Sequence, residues 1–368
     1  MTLLFTPQTF GSLTLPNRIV RSATAERMAD EQGRLTEKIV PFYRQLAEGG
    51  VGLIITGHMY VHPTGKAHPE MTGIYSDDLL PGLARLADTI HAAGGLAAVQ
   101  INHGGMKNDA ESLPEALAPS SIHEAEFISR PARALTADEI KVLIDAFAQA
   151  ARRVKQAGFD AVQIHAAHGY LISQFLSPAV NQRTDDWGGS FEKRLNFLRA
   201  VVRAVRAQVG PDFPVFTKLG MMDGVDGGLT LEDGAGIVAE LSRMGLDAVE
   251  LSGGIGGPHL TNIAKGIRNE GREAYFIPFA RAAKQVADLP VMLVGGMRSR
   301  AVMEEVLASG DADFISMCRP LINDPAFPSK LKTGELVRSG CISANNCWAR
   351  EMGEGIACKC PLEKIAAG

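Results

Sequence analysis

One pattern recurs along the chain and limits what it can fold into: a helical segment that ends in glycine and turns at once into a short apolar strand. It reads AEGGVGLIIT at 47–56, AAGGLAAVQ at 92–100, KQAGFDAVQIH at 155–165, SRMGLDAVELS at 242–252 and LASGDADFISM at 307–317. A glycine just past a helix takes the left-handed conformation that other residues resist, so it closes the helix and redirects the chain. Repetition of the unit implies parallel strands joined by crossover helices.

Eight strands can be placed, at 19–22, 52–56, 96–100, 161–165, 215–219, 248–252, 291–295 and 314–318. Helices are predicted at 36–50, 78–94, 136–158, 191–208, 231–244, 277–287 and 298–309, the third opened by a capping box of Thr136 and Glu139. Eight such units predict an α/β fold, a closed (β/α)8 TIM barrel forming a single domain over 1–368. The residues before Asn17 are expected to cap one barrel end. The stretch 102–135, stiffened by Pro114, Pro119 and Pro131, is an insertion after the third strand. It reads as a lid or substrate wall, with an ornament or an oligomer contact as equal alternatives.

Composition narrows the function classes. The 368 residues are 46% hydrophobic, carry a net charge of -4, and hold no basic run, which argues against nucleic acid. No segment reaches the roughly 18 uninterrupted apolar residues of a membrane span. The N-terminus, broken by Pro7, Gln8 and Pro16, has no signal-peptide pattern. All five cysteines lie beyond residue 317, which fits a reducing cytoplasm rather than a disulfide framework. A homo-oligomer is compatible with all of this.

Barrel active sites form at the C-terminal strand ends. Here those ends carry Thr56 and His58, Gln100 and Asn102, His165, Lys218, Glu250 and Ser252, and Arg319. Solvated polar residues could decorate one or two ends; six such ends point to a site. On the fourth strand Gln163 and His165 share one face while Val162 and Ile164 share the other. His165, His168 and Tyr170 can hold a polar oxygen and deliver a proton. Gly295-Gly296 and Cys318-Arg319 follow strands seven and eight, where barrels often bind phosphate. The glycine run at 252–257 lacks G-x-G-x-x-G spacing and follows the wrong strand for a dinucleotide fingerprint. His165 and His168 could instead hold a metal with Glu250.

The run HAAHGYLISQFLSPAVNQRTDDWGGSFEKRLNF strongly resembles the Old Yellow Enzyme family of FMN-dependent oxidoreductases. So do Asn17-Arg18-Ile19-Val20, Gly50 to Ile55, Gln100-Ile101-Asn102-His103 and Cys318-Arg319-Pro320, in the right order. The resemblance implies FMN across the barrel mouth. It places backbone of Ala23, Thr24, Ala25 and Gly57 at the flavin ring and Gln100 at its pyrimidine edge. Lys218 would stand near the flavin N1, with His165 beside the cofactor as well. Gly295, Gly296, Cys318 and Arg319 would take the phosphate. His165 and His168 would bind the carbonyl oxygen of an activated alkene, and Tyr170 would give the proton. NADH or NADPH would supply hydride in ping-pong fashion.

The chain departs from the family in two places. Many members carry Pro and then Cys or Thr in the loop that here reads Ser22-Ala23-Thr24-Ala25-Glu26. Larger relatives bind an iron–sulfur cluster through a C-terminal cysteine motif. Here Cys341, Cys347, Cys358 and Cys360 surround Ala344, which stands where a ligand would be, so the tail 338–368 reads as a degenerate motif. The expected function is an FMN-dependent ene-reductase. A metal-dependent barrel hydrolase or lyase using His165, His168 and Glu250 is the alternative, and a non-catalytic flavin-binding scaffold comes third.

Overall fold

The computed structural model describes residues 2–111, 113–347, 355–357 and 360. A hairpin of β1 (Gln8–Phe10) and β2 (Leu13–Leu15) comes first. The elements then run β3 (Ile19–Arg21), α1 (Ile39–Glu48), β4 (Leu53–Ile55), β5 (Met59–Tyr60), α2 (Leu80–Ala92) and β6 (Ala97–Asn102). The insertion holds β7 (Ala116–Ala118) and β8 (Ala132–Ala134), and α3 (Ala137–Gln156) leads to β9 (Ala161–Ala166). Next come α4 (Leu171–Leu176), α5 (Phe191–Arg194), α6 (Asn196–Val209), β10 (Val215–Gly220), α7 (Leu231–Arg243) and β11 (Ala248–Ser252). The described elements end with α8 (Ile277–Val286), β12 (Val291–Leu293), α9 (Arg300–Ala308), β13 (Phe314–Met317), α10 (Arg319–Asn323) and α11 (Phe327–Thr333).

Strands β3, β4, β6, β9, β10, β11, β12 and β13 pair in parallel, and β13 closes on β3. This is the (β/α)8 barrel expected from the repeat. The predicted strands agree to within two residues at each end. Thr136 and Glu139 form the capping box that opens α3, which stabilises such a helix by about 1 kcal/mol. The helix predicted over 191–208 is interrupted at Leu195. The short elements β1, β2, β5, β7, β8, α4, α10 and α11 are not foreseen from the glycine repeat.

Period-two alternation gives the barrel wall two faces. Val162 and Ile164 of β9 enter the large core between strands and helices. Ala161 points inward and joins Val20, Leu53, Ala98, Phe216, Ala248, Met292 and Phe314 in a separate core inside the barrel floor. The β1–β2 hairpin plugs that end. Phe10 stands edge-on to Phe216 and Phe314, with ring centroids at 5.5 and 5.8 Å. The residues before Asn17 are therefore the cap their position suggested, and the opposite end stays open.

Candidate active site

Two residues above the floor, the inward positions turn polar. Gln100 donates to Gln163 at 2.6 Å, and Gln163 donates to Glu250 at 2.9 Å. Glu250 lies 3.2 Å from the Lys218 ammonium, which donates to Ser22 Oγ at 2.7 Å. None of these residues is more than 2% exposed. Parallel register makes the chain of contacts, since Lys218 sits beside His165 on one side and Glu250 on the other. A charge pair this deep is costly to desolvate and tolerable only when both partners are present.

Above this layer opens a cavity whose mouth is continuous with solvent. Ala23, Thr24 and Ala25 form one wall, and Gln100 and Lys218 form its base. Thr24 Oγ1 donates to Cys318 Sγ at 2.6 Å, tying the loop after β3 to the start of α10. His165, His168 and Tyr170 occupy a second wall, with ring centroids 5.0–5.1 Å apart for His165–His168 and His165–Tyr170. His168 adopts a left-handed φ of 60° and is followed by Gly169 at 69°, a turn that folds its ring back beside His165. Its carbonyl accepts from Lys107 at 2.8 Å, and its Nε2 is 2.7 Å from Ser252 Oγ.

Burial sets the protonation of this wall. Desolvation holds both His165 and His168 well below the usual imidazole range, reinforced by the nearby Lys218 and Lys107 charges. His58 is pulled down to about 4 by burial alone. The Tyr170 phenol is pushed up to about 12 by the same cause. Near neutral pH the wall is three neutral imidazoles and a protonated phenol.

The far end is cationic. Gly296, Cys318 and Arg319 line it as expected, and Gly296 has a left-handed φ of 75°. Arg319 donates to the Ala264 carbonyl and to Asn345 Oδ1. Arg298, which in the sequence reads only as the start of a helix, also belongs to this end. Arg298 is 1% exposed and held by the Ile267 and Ser339 carbonyls, and its Nε is buried without a partner among the described residues. A cation two residues beyond a strand-end glycine pair was the available signal. Ser343 of the C-terminal segment also lines this end.

Two expected residues lie just off the cavity. Val294 and Gly296 line it rather than Gly295, whose carbonyl accepts from Tyr275 N. His58 lines it rather than Gly57. The Gly57 N–H is committed to Glu26 and Tyr43 OH, and a Cβ on Gly57 would lie 1.9 Å from Glu26 Oε2. Burial raises the pKa of that carboxyl against the pull of Arg21 and the Gly57 N–H.

The insertion pairs β7 with β8 and packs Met106, Ala116, Ala118 and Ala132 against Val180 and Ile255. None of its described residues beyond β6 lines the cavity, so it flanks the mouth and braces the His168 turn through Lys107. The metal reading finds no support. Glu250 is bound to Lys218 and Gln163, and no group of three His, Cys, Asp or Glu side chains among the described residues could hold an ion. Cys341 and Cys347 are buried, while Cys358 lies outside the described residues. No described helix is long and apolar enough to cross a membrane.

The profile of the NADH:flavin oxidoreductase / NADH oxidase family matches residues 3–336. An NADH oxidase of Thermoanaerobacter brockii is 35% identical over 370 residues, covering 99% of this chain and 56% of its own length. An NADPH dehydrogenase of Bacillus subtilis (strain 168) is 37% identical over 325 residues, 88% of this chain and 92% of that protein. Among solved structures, the old yellow enzyme homologue from Zymomonas mobilis matches with a TM-score of 0.80 at 26% identity over 98% of both chains. The chain thus spans little more than half of the first relative and nearly all of the other two.

Proposed function

Because the chain belongs to the NADH:flavin oxidoreductase / NADH oxidase family, we propose that its cavity holds FMN. We further propose that it reduces the C=C bond of α,β-unsaturated carbonyl compounds with NADH or NADPH. The observation that carries this reading is the polarity of the cavity. One end has a buried guanidinium N–H with no partner among the described residues, on the same cavity lining as Gly296 and Arg319, suited to a phosphate. The other has neutral imidazoles and a protonated phenol, suited to a carbonyl and a carbon that must gain a proton.

Arg298, Arg319, Cys318 and Gly296 would hold the phosphate, and Gln100, Lys218 and the Ala23–Ala25 backbone the ring. When bound, FMN supplies the two-electron carrier between nicotinamide and alkene. Lys218 places a fixed positive charge at the base of the cavity, where it favours an anionic partner. His165 Nδ1 accepts from Ala167 N at 3.3 Å, which leaves its proton on Nε2. His168 Nε2 shares a hydrogen bond with Ser252 Oγ, and where the hydroxyl donates, the His168 proton sits on Nδ1. Two neutral N–H donors can then share one carbonyl oxygen and draw electron density from the β-carbon. Tyr170, protonated throughout the neutral range, donates to the α-carbon.

A reducing cytoplasm suits both the free thiols and the nicotinamide donor. The test is an anaerobic two-step experiment on the FMN-loaded enzyme. NADH or NADPH should bleach the flavin, and 2-cyclohexenone should restore it with release of cyclohexanone. Bleached flavin that molecular oxygen restores but no enone does would overturn the reading.

A further inference from the structure

One imidazole on the cavity wall is not used by the reaction just described. His58 follows β4, is 6% exposed, and lines the cavity. Its Nδ1 lies 2.8 Å from Asn102 Nδ2, an amide 1% exposed at the end of the neighbouring β6. An amide nitrogen can only donate, so Nδ1 accepts and the ring proton sits on Nε2. No described residue accepts from that Nε2–H. Asn102 is buried for little else: its Oδ1 has no partner among the described residues. A buried amide half satisfied in order to fix one tautomer is costly unless the oriented N–H is itself used.

The order of groups along the wall says what it can meet. His168 is 5.1 Å from His165, and His58 stands 6.0 Å from His165. Tyr170 is 5.0 Å from each of the last two, so the three rings form a compact triangle. The proton donor therefore has as neighbours both a member of the carbonyl-binding pair and a further N–H donor. An alkene carbon facing Tyr170, with a carbonyl on each side of the double bond, would match all three.

We propose that His58 binds a second carbonyl oxygen and makes the enzyme selective for conjugated 1,4-enediones over alkenes with a single carbonyl. The inference rests on the carbonyl-binding role given to His165 and His168. The reaction balances as for an enone. NAD(P)H becomes NAD(P)+, the C=C π bond is lost, and the two new C–H bonds take one hydride and one proton. A site built around a buried donor penalises the substrate that leaves it unpaired.

The experiment compares 2-cyclohexene-1,4-dione with 2-cyclohexenone on wild type and His58→Ala, both checked for full FMN content. The ratio of their kcat/KM values should fall about tenfold in the variant, the worth of one hydrogen bond of about 1.4 kcal/mol. His58→Gln, which keeps a donor, should recover most of it. Spectral titration gives a readout apart from turnover: the variant should lose about tenfold affinity for 4-hydroxybenzaldehyde relative to phenol. Equal losses for both members of each pair, or no loss, would overturn the proposal and leave the ene-reductase reading standing. If His58→Ala does not hold FMN, the ratio is read on Asn102→Leu, which frees the tautomer; an unaltered ratio there overturns the proposal. A wild type that reduces neither alkene would remove the underlying reading as well.

Discussion

The two ends of the barrel are built by the same strands, two residues apart, and are chemical opposites. On β9 the inward series is Ala161, Gln163, His165; on β10 it is Phe216 then Lys218; on β11 it is Ala248, Glu250, Ser252. The floor is apolar, filled and sealed by Phe10. The mouth buries a charge pair, two amides and a row of imidazoles. Burial of a phenylalanine at the floor stabilises by roughly 1.5–3 kcal/mol. The same burial applied to Lys218, Glu250 or His165 opposes folding and is offset only by their mutual contacts. The scaffold thus separates the residues that hold it together from the residues that do chemistry.

The sharpest way to break that separation is at Tyr170. Tyr170→Phe should slow re-oxidation of the reduced enzyme by an enone by about 10²–10⁴-fold. Reduction by NAD(P)H and the thermal stability should stay near wild type, and stopped-flow absorbance separates the two steps. Equal slowing of both steps would remove Tyr170 as proton donor. Lys218→Met should destabilise by about 3–5 kcal/mol in denaturant titration, because Glu250 is left charged and buried. Adding Glu250→Leu should return most of that loss. If the double variant is no better than the single one, the pair is not what holds the mouth.

Phe10→Ala tests the opposite end. It should cost about 3 kcal/mol through a cavity under Phe216 and Phe314, while affinity for phenolic ligands at the mouth holds. A parallel loss of ligand affinity would mean the two ends are coupled. Acid should separate them next. The unfolded chain takes up protons below about pH 6.5 at histidines that the fold keeps neutral. His58 stays so down to about 4 and His103 to about 3, both by burial, and His165 and His168 lie well below 6.5 too. Since the unfolded state binds more protons in that window, stability falls as pH drops from 6.5 towards 4. The slope is roughly 1.4 kcal/mol per pH unit for each such histidine. Melting temperature should therefore fall from pH 7 to pH 5, whereas the affinity of a neutral carbonyl ligand stays level between pH 6 and 8. The smallest effect belongs to neither end: Thr136→Ala, which removes the cap of α3, should cost about 1 kcal/mol and leave ligand binding alone.

Most of the barrel was legible because glycine punctuates it. Gly94, Gly158, Gly245 and Gly310 all have left-handed φ and each precedes a strand by a few residues. The alternation in β9 was enough to place Gln163 and His165 inside. The misses share a cause, which is that non-local contacts decide them. Gly57 reads as a backbone donor until Glu26, 31 positions earlier, occupies the space its missing side chain leaves and takes its N–H. His58 then becomes the residue that faces the cavity. Arg298 reads as the first residue of a helix until carbonyls from Ile267 and Ser339 hold it at the cationic end. The insertion reads from its length and prolines equally as a lid or wall, an ornament or an oligomer contact, and its small side chains pack on Val180 and Ile255 beside the mouth.

Whether the polar end of this barrel is an FMN site is decided by an absorbance spectrum of the purified protein after incubation with FMN and removal of excess. Bands at about 375 and 450 nm with one FMN per chain are expected, with weaker retention in Arg298→Ala, which removes the buried guanidinium at the phosphate end. A colourless protein that cannot be loaded with FMN would contradict the FMN assignment.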